Sequence, residues 1–170
     1  MKKQKRKAAA EALAAEAAVP KKPFAWWPWA VVLAAIIAAF EVYGPALNAP
    51  FVFDDRILPF MDPRAAERTF AGWIGSIRPL LMFTFWMDYV RSGTDPGTYH
   101  VTNVILHILN SCITALIAAR LLAWSGVEGL KRSTLAVFAG GMFLLHPLQT
   151  ESVAYVASRS EALSILFFYS

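Results

Sequence analysis

Uncharged and charged positions alternate along this chain in long blocks. Phe24–Phe40 is seventeen residues without a charge, Thr98–Ala119 is twenty-two, Ser133–Thr150 is eighteen, and Ala162–Ser170 opens a further run of nine. At 1.5 Å per residue the first run makes about 25 Å of helix, and crossing about 30 Å of hydrocarbon takes about 20 apolar residues. The pattern predicts membrane helices over 23–43, 98–120 and 133–150, with a fourth begun over 162–170. Trp26, Trp27 and Trp29 stand at the start of the first, where an aromatic belt belongs, and Gly44-Pro45 closes it. Pro79–Val90, PLLMFTFWMDYV, is different in kind: twelve residues that include Asp88. It is short for a span and reads as an interfacial or re-entrant helix over 79–90. An apolar run that stops at Ser170 without an anchor leads us to expect the first part of a longer protein.

Charge then sets the orientation. Seven of the sixteen Lys and Arg residues lie in the first 22 positions, against two Glu. A basic tail joined directly to an apolar span reads as a cytoplasmic flank rather than a nucleic-acid-binding arm. The segment 1–22 is therefore expected to be a disordered cytoplasmic tail, and 121–132, with Lys131 and Arg132, a cytoplasmic loop. Segments 44–97 and 151–161 share the opposite face. A cleaved signal peptide fits less well, because the basic region is long and no A-x-A site follows. Composition agrees: 57% of residues are hydrophobic and 16% charged, against about 45–50% and about 25% in soluble domains. The expected fold class is all-α, a polytopic helical membrane protein. The single Cys112 allows no disulfide framework.

Several polar groups need a reason in such a chain. His100, Asn103, His107, Asn110 and Thr114 recur at spacings of three and four, so they share one face of the second span. Lipid offers them no partners. Two readings stand: hydrogen bonds between helices, worth about 1 kcal/mol each, or the lining of a polar cavity, for which His100 at the outer end is the strongest candidate. In HPLQTESVAYVASRSE, residues 146–161, His146-Pro147 breaks the third span and Glu151, Arg159 and Glu161 crowd a short loop between apolar helices. Charges are costly there without partners.

On the same face FVFDDRILPF, Phe51–Phe60, sets Asp54 beside Asp55. Neighbouring side chains point oppositely in extended chain and diverge by about 100° in a helix. The two carboxylates must therefore divide their tasks, and we read Asp54 as the one facing a ligand and Asp55 as its support. Arg78-Pro79 can open a helix at whose electropositive start Arg78 suits an anion. As an interfacial arginine it can equally snorkel to the headgroups. No H-x-x-x-H, H-E-x-x-H or Cys pair marks a zinc site. A hard cation, Mg²⁺ or Mn²⁺, on Asp54 or Asp55 stays open. There is no phosphate-binding glycine loop and no G-x-S-x-G.

Taken in order and spacing, FVFDD, RPLLMFTFWMDYV, YHVTNVILHILN and FLLHPLQTESVAYVASRSE resemble the N-terminal part of a known family. These are the membrane O-mannosyltransferases that carry C-terminal tetratricopeptide repeats, including bacterial relatives, within the wider class of multi-spanning GT-C glycosyltransferases. The resemblance runs from about Glu41 to Ser170. It implies transfer of a sugar, mannose, from a polyprenyl phosphate to a protein hydroxyl on the non-cytoplasmic face. It also implies a carboxylate in the first outer loop as general base, a role that maps onto Asp54 or Asp55. Arg78, His100, His146, Glu151, Arg159 and Glu161 would then serve the substrate and its lipid phosphate. The expected partners are the lipid-linked sugar, an acceptor polypeptide and the bilayer, with no nucleic acid. The expected location is a bacterial inner membrane, with the N-terminus cytoplasmic and the site periplasmic. The remaining spans and the repeats would lie beyond Ser170, so these 170 residues alone are expected to be inactive.

The chemistry fits the residues independently of the family. A serine or threonine hydroxyl needs a positioned carboxylate to take its proton. Attack opposite the leaving group inverts the sugar carbon, and the departing phosphate needs a cation such as Arg78 or Arg159. The alternative is a non-enzymatic transporter or assembly protein. That reading asks for charges deep within spans, where this chain has neutral Asn, Thr and His.

Overall fold

The first apolar run folds as α1 (Trp27–Leu47), a helix of 21 residues that passes through Gly44-Pro45 where the sequence pattern closes it, Pro45 lying inside its last turn. The computed structural model describes residues 27–170, so the basic tail 1–22 and Trp26 lie outside the described residues. The chain divides into a unit Met1–Val31 and a unit Val32–Ser170. Of the first, the described part is the opening of α1, where Trp27 and Trp29 are exposed. All that follows concerns the second.

Beyond α1 the chain makes three short 3₁₀ turns, Phe53–Ile57, Pro59–Met61 and Ala65–Glu67, and a one-turn helix α2 (Phe70–Ile74). Then come α3 (Pro79–Ser92), α4 (Pro96–Trp124), α5 (Gly129–Leu145), α6 (Gln149–Ala154), a 3₁₀ turn at Val156–Ser158, and α7 (Arg159–Tyr169). No strand occurs among the described residues. Within α1 and α4, Trp29–Leu47 and Pro96–Trp124 are long and apolar enough to cross a membrane, with mean hydropathies of 2.0 and 1.8.

Local chemistry places the boundaries. α3 covers the expected interfacial helix, with Pro79 in its first turn and Gly93, at φ 62°, closing it through an N–H bond to the Tyr89 carbonyl. α4 exceeds the expected 98–120 at both ends. Asp95 caps its start by accepting from the Gly97 N–H, and the apolar residues Leu121–Trp124 add a turn beyond Arg120. α5 starts and stops earlier than the expected 133–150: His146, before Pro147, leaves the helical region at φ −70°, ψ 129°. A residue preceding proline is pushed out of helical conformation in just this way.

α4 is the spine. Four of its five stripe residues, His100, Asn103, His107 and Asn110, are buried, while Ile105, Leu109 and Leu116 on the opposite face are exposed. That is the inside-out arrangement lipid demands, because buried protein alone can satisfy polar groups there. α5 approaches α4 closely at Gly140: a Cβ there would stand 2.9 Å from the Ala115 Cβ and 3.0 Å from the Ser111 carbonyl oxygen. The Ser111 hydroxyl donates to the Gly140 carbonyl at 2.9 Å. Small residues earn such an approach by letting backbones meet, since apolar burial gives no drive between helices in lipid.

Two apolar cores flank the spine. One, with Tyr43, Val104, Leu144 and Val153, ties α1 to α4, α5 and α6. The other, with Phe51, Phe60, Trp73, Phe85, Tyr99 and Val156, seats the segment between α1 and α3 on α3 and α4. Phe60 and Tyr99 lie with ring centroids 4.1 Å apart. This second core carries the FVFDD turn to the first turn of α4 and the 155–158 segment.

Candidate functional site

Four of the five stripe residues on α4 reach carbonyl oxygens on other elements. His107 Nε2 lies 3.0 Å from the Leu144 carbonyl, which also accepts from the Tyr43 hydroxyl at 2.9 Å. Asn103 Nδ2 donates to the Val153 and Tyr155 carbonyls, both at 3.2 Å. Asn110 Nδ2 donates to the Ala162 carbonyl at 2.9 Å, and His100 Nε2 faces the Ala49 carbonyl at 3.2 Å. Thr114 instead bonds back to the Asn110 carbonyl of its own helix. Leu144, Val153 and Tyr155 lie at or just past helix ends, where carbonyls lack an intrahelical partner. Of the two readings of the stripe, the contacts are those of helix packing. A ring nitrogen that faces a carbonyl must donate, so His100 and His107 carry their protons on Nε2. His100 is buried, and its Nδ1 has no partner among the described residues.

Arg159 is wholly buried. Its Nη1 lies 2.7 Å from Asp88 Oδ2. Nε donates to Asn103 Oδ1 at 2.8 Å and Nη2 to the Tyr99 carbonyl at 2.8 Å. The guanidinium sits 4.7 Å from the Phe85 ring centroid, and the other Asp88 oxygen accepts from Thr102 at 2.7 Å. The expected phosphate-binding arginine is therefore placed at the centre of an ion pair joining α3, α4 and α7. Sequence reasoning noticed Asp88 only as a reason to keep α3 out of the membrane. The signal that points further is a lone carboxylate among apolar residues, which must find a cation.

The two aspartates part company. Asp55 is fully buried, with Oδ1 accepting from the Ala157 N–H at 2.7 Å and Oδ2 from the Val52 N–H at 3.4 Å. Asp54 is exposed, and its backbone N–H donates to the Tyr155 hydroxyl at 3.0 Å. The turn begins at Phe53, whose φ of 46° is left-handed without being glycine. The FVFDD turn and the loop after α5 thus meet on one face. Sequence reasoning missed Tyr155 altogether. Burial raises its phenol above the ordinary value, and the neighbouring Asp54 charge adds to this, so it stays protonated.

The remaining expected residues fall into separate groups. Glu151 lines a cleft of about 460 Å³ with Val52, Phe53, Thr150, Ala154 and Tyr155, beside the aspartate turn. Arg78 and Glu161, both exposed, line another of about 820 Å³ between the start of α3 and α7, with Leu81, Ser164 and Phe167. His146 stands apart at the end of α5, its Nδ1 accepting from the Leu148 N–H at 3.2 Å. Of the two carboxylates, Asp55 suits a cation less than the exposed Asp54. Both Asp55 oxygens face N–H groups, and among the described residues no three His, Cys, Asp or Glu side chains gather as a metal site.

Fold and site define an all-α membrane protein with an exposed carboxylate, Asp54, adjoining the cleft-lining Phe53 just beyond its first span. No family model and no solved structure matches the chain. Curated relatives do. It is 33% identical over 147 residues to the Drosophila melanogaster protein O-mannosyl-transferase Tmtc1, covering 76% of this chain and 16% of that protein. It is 32% identical over 143 residues to Xenopus laevis tmtc2, covering 75% and 16%. To Mus musculus TMTC3 it is 31% identical over 157 residues, covering 81% and 15%. The chain belongs to this family, the TMTC protein O-mannosyl-transferases. It spans about a sixth of the length of these relatives.

Proposed function

We propose that this chain forms the entrance of a membrane glycosyltransferase, GT-C in its overall fold, that moves mannose from a polyprenyl phosphate to a hydroxyl on a polypeptide. Asp54 is the general base and Asp55 its structural support. The observation that carries the reading is the contrast between adjacent carboxylates: Asp54 is exposed, while Asp55 is buried with both oxygens on backbone N–H groups. A carboxylate so occupied is a poor proton acceptor; the exposed one can reach an acceptor hydroxyl within hydrogen-bonding distance. Inversion at the sugar carbon follows from attack opposite the phosphate.

The Arg78 cleft suits the donor. It offers an exposed arginine above Pro79, Leu81, Leu163 and Phe167, a cation over apolar wall, as a phosphate on an isoprenoid chain requires. Arg159, held by Asp88, stays with the scaffold. His100 and His146 are given no chemical step, and Glu151 and Glu161 are assigned to the rims of the two clefts. The site faces away from the cytoplasm in a bacterial inner membrane, with the basic tail cytoplasmic. The transport reading loses support where the deep polar groups of α4 each bind a carbonyl.

The test is transfer of mannose from polyprenyl-phosphate mannose to a serine- or threonine-containing peptide by the protein expressed from its complete reading frame. Asp54→Asn is expected to lose about 10²- to 10⁴-fold in kcat at unchanged thermal stability. Full activity in a folded Asp54→Asn variant refutes the assignment of the base.

A further inference from the structure

The turn that presents Asp54 is held from within, by Asp55 N–H on the Val52 carbonyl at 3.0 Å and Val52 N–H on Asp55 Oδ2 at 3.4 Å, and from outside. Phe53 opens it at φ 46°, a conformation that costs a non-glycine residue about 1–3 kcal/mol. Its ring is 84% exposed, so packing does not fix it. The outside hold is two contacts from the 155–157 segment. Ala157 N–H binds Asp55, and the Tyr155 hydroxyl accepts from the N–H of Asp54 itself. Tyr155 is in turn anchored: its carbonyl accepts from Asn103 Nδ2 of α4 and its N–H donates to the Glu151 carbonyl at 3.1 Å. Asn103 is clamped by Arg159.

We infer that Tyr155 is the positioning residue for Asp54, transmitting the fixed geometry of the helix core through its hydroxyl to the main chain of the carboxylate. The inference rests on the reading of Asp54 as the base. A phenol oxygen that accepts from an N–H fixes the main chain at that residue. Tyr155 therefore restrains the backbone from which the Asp54 side chain projects. It also lines the Phe53–Glu151 cleft, so the restraint acts where an acceptor hydroxyl would arrive.

The experiment uses Tyr155→Phe, which removes one oxygen from a half-buried ring, in the full-length protein in lipid nanodiscs. The donor is polyprenyl-phosphate mannose and the acceptor a serine/threonine peptide. We expect kcat to fall about tenfold, about the upper worth of one neutral hydrogen bond, with KM for both substrates within about twofold and melting temperature within about 2 °C. In an Asp54→Asn background the same substitution is expected to change nothing further, because its effect passes through Asp54. An undiminished kcat, or an equal loss in both backgrounds, overturns the inference.

A second arm does not depend on turnover. Amide exchange in a peptide covering 52–57 is expected to quicken about tenfold in Tyr155→Phe, the loss of one restraint on the Asp54 N–H. Unchanged exchange overturns the proposal. If Asp54→Asn leaves transfer intact, the base assignment falls while the exchange arm still judges the hold of Tyr155.

Discussion

Asp88 of α3 and Arg159 of α7 meet at 2.7 Å with neither side chain reached by solvent. Around them Thr102, Asn103 and the Tyr99 carbonyl satisfy most of the remaining polar atoms. A buried pair of this kind specifies an arrangement more than it stabilises one, because two charges have left water to form it. Here the arrangement is the docking of the 155–159 segment, which holds the aspartate turn, onto α3 and α4.

Removing one partner strands the other. Asp88→Leu or Arg159→Met is expected to cost about 3–5 kcal/mol, whereas the double substitution Asp88→Leu/Arg159→Met costs less than either alone. Thermal unfolding of the purified variants checks this. Simple addition of the two single losses would mean that the pair is not coupled.

Asp55 and Asp54 should also separate by stability. Asp55→Ala leaves the Ala157 and Val52 N–H groups without their acceptor, and a buried donor so stranded costs about 1–3 kcal/mol. Asp54→Ala, on an exposed side chain, is expected to stay within about 0.5 kcal/mol. Equal losses in a denaturation series would remove the structural role given to Asp55.

Much of this was legible in the sequence, for identifiable reasons. A helix of period 3.6 makes the His100–Thr114 stripe one face whatever surrounds it. The divergence of neighbouring side chains likewise needs only local geometry; it separated Asp54 from Asp55. What stayed hidden depends on tertiary approach. Arg159 reads as a loop cation until α3 folds back to bring Asp88 beside it. Tyr155 looks like one aromatic among many, and nothing in Phe-Val-Phe-Asp-Asp announces a left-handed Phe53 that needs an outside hold.

The α4–α5 contact makes a contrast between neighbouring glycines. Gly140→Ala forces a methyl to 2.9 Å from the Ala115 Cβ, while at Gly141 nothing stands within 4 Å. The first is expected to cost about 1–3 kcal/mol by overpacking. The second should be neutral or gain up to about 1 kcal/mol through helix propensity. Paired melting curves decide it, and equal behaviour of the two variants would show that the helices do not close at Gly140.

The last prediction concerns the end of α5. The Leu144 carbonyl has two outside donors, the Tyr43 hydroxyl from α1 and His107 Nε2 from α4, which also lie 3.3 Å from each other. Either donor alone satisfies the oxygen, so Tyr43→Phe or His107→Leu should each cost about 0.6 kcal/mol, the usual worth of a hydrogen bond between membrane helices. Together they leave a bare carbonyl, a further loss of about 1–3 kcal/mol. The double variant should therefore lose more than the sum of the singles. Because the chain runs from this helix end into 149–158, the excess should also appear as faster amide exchange there. Additive losses in the double-mutant cycle would show that water or another group caps Leu144 in their place.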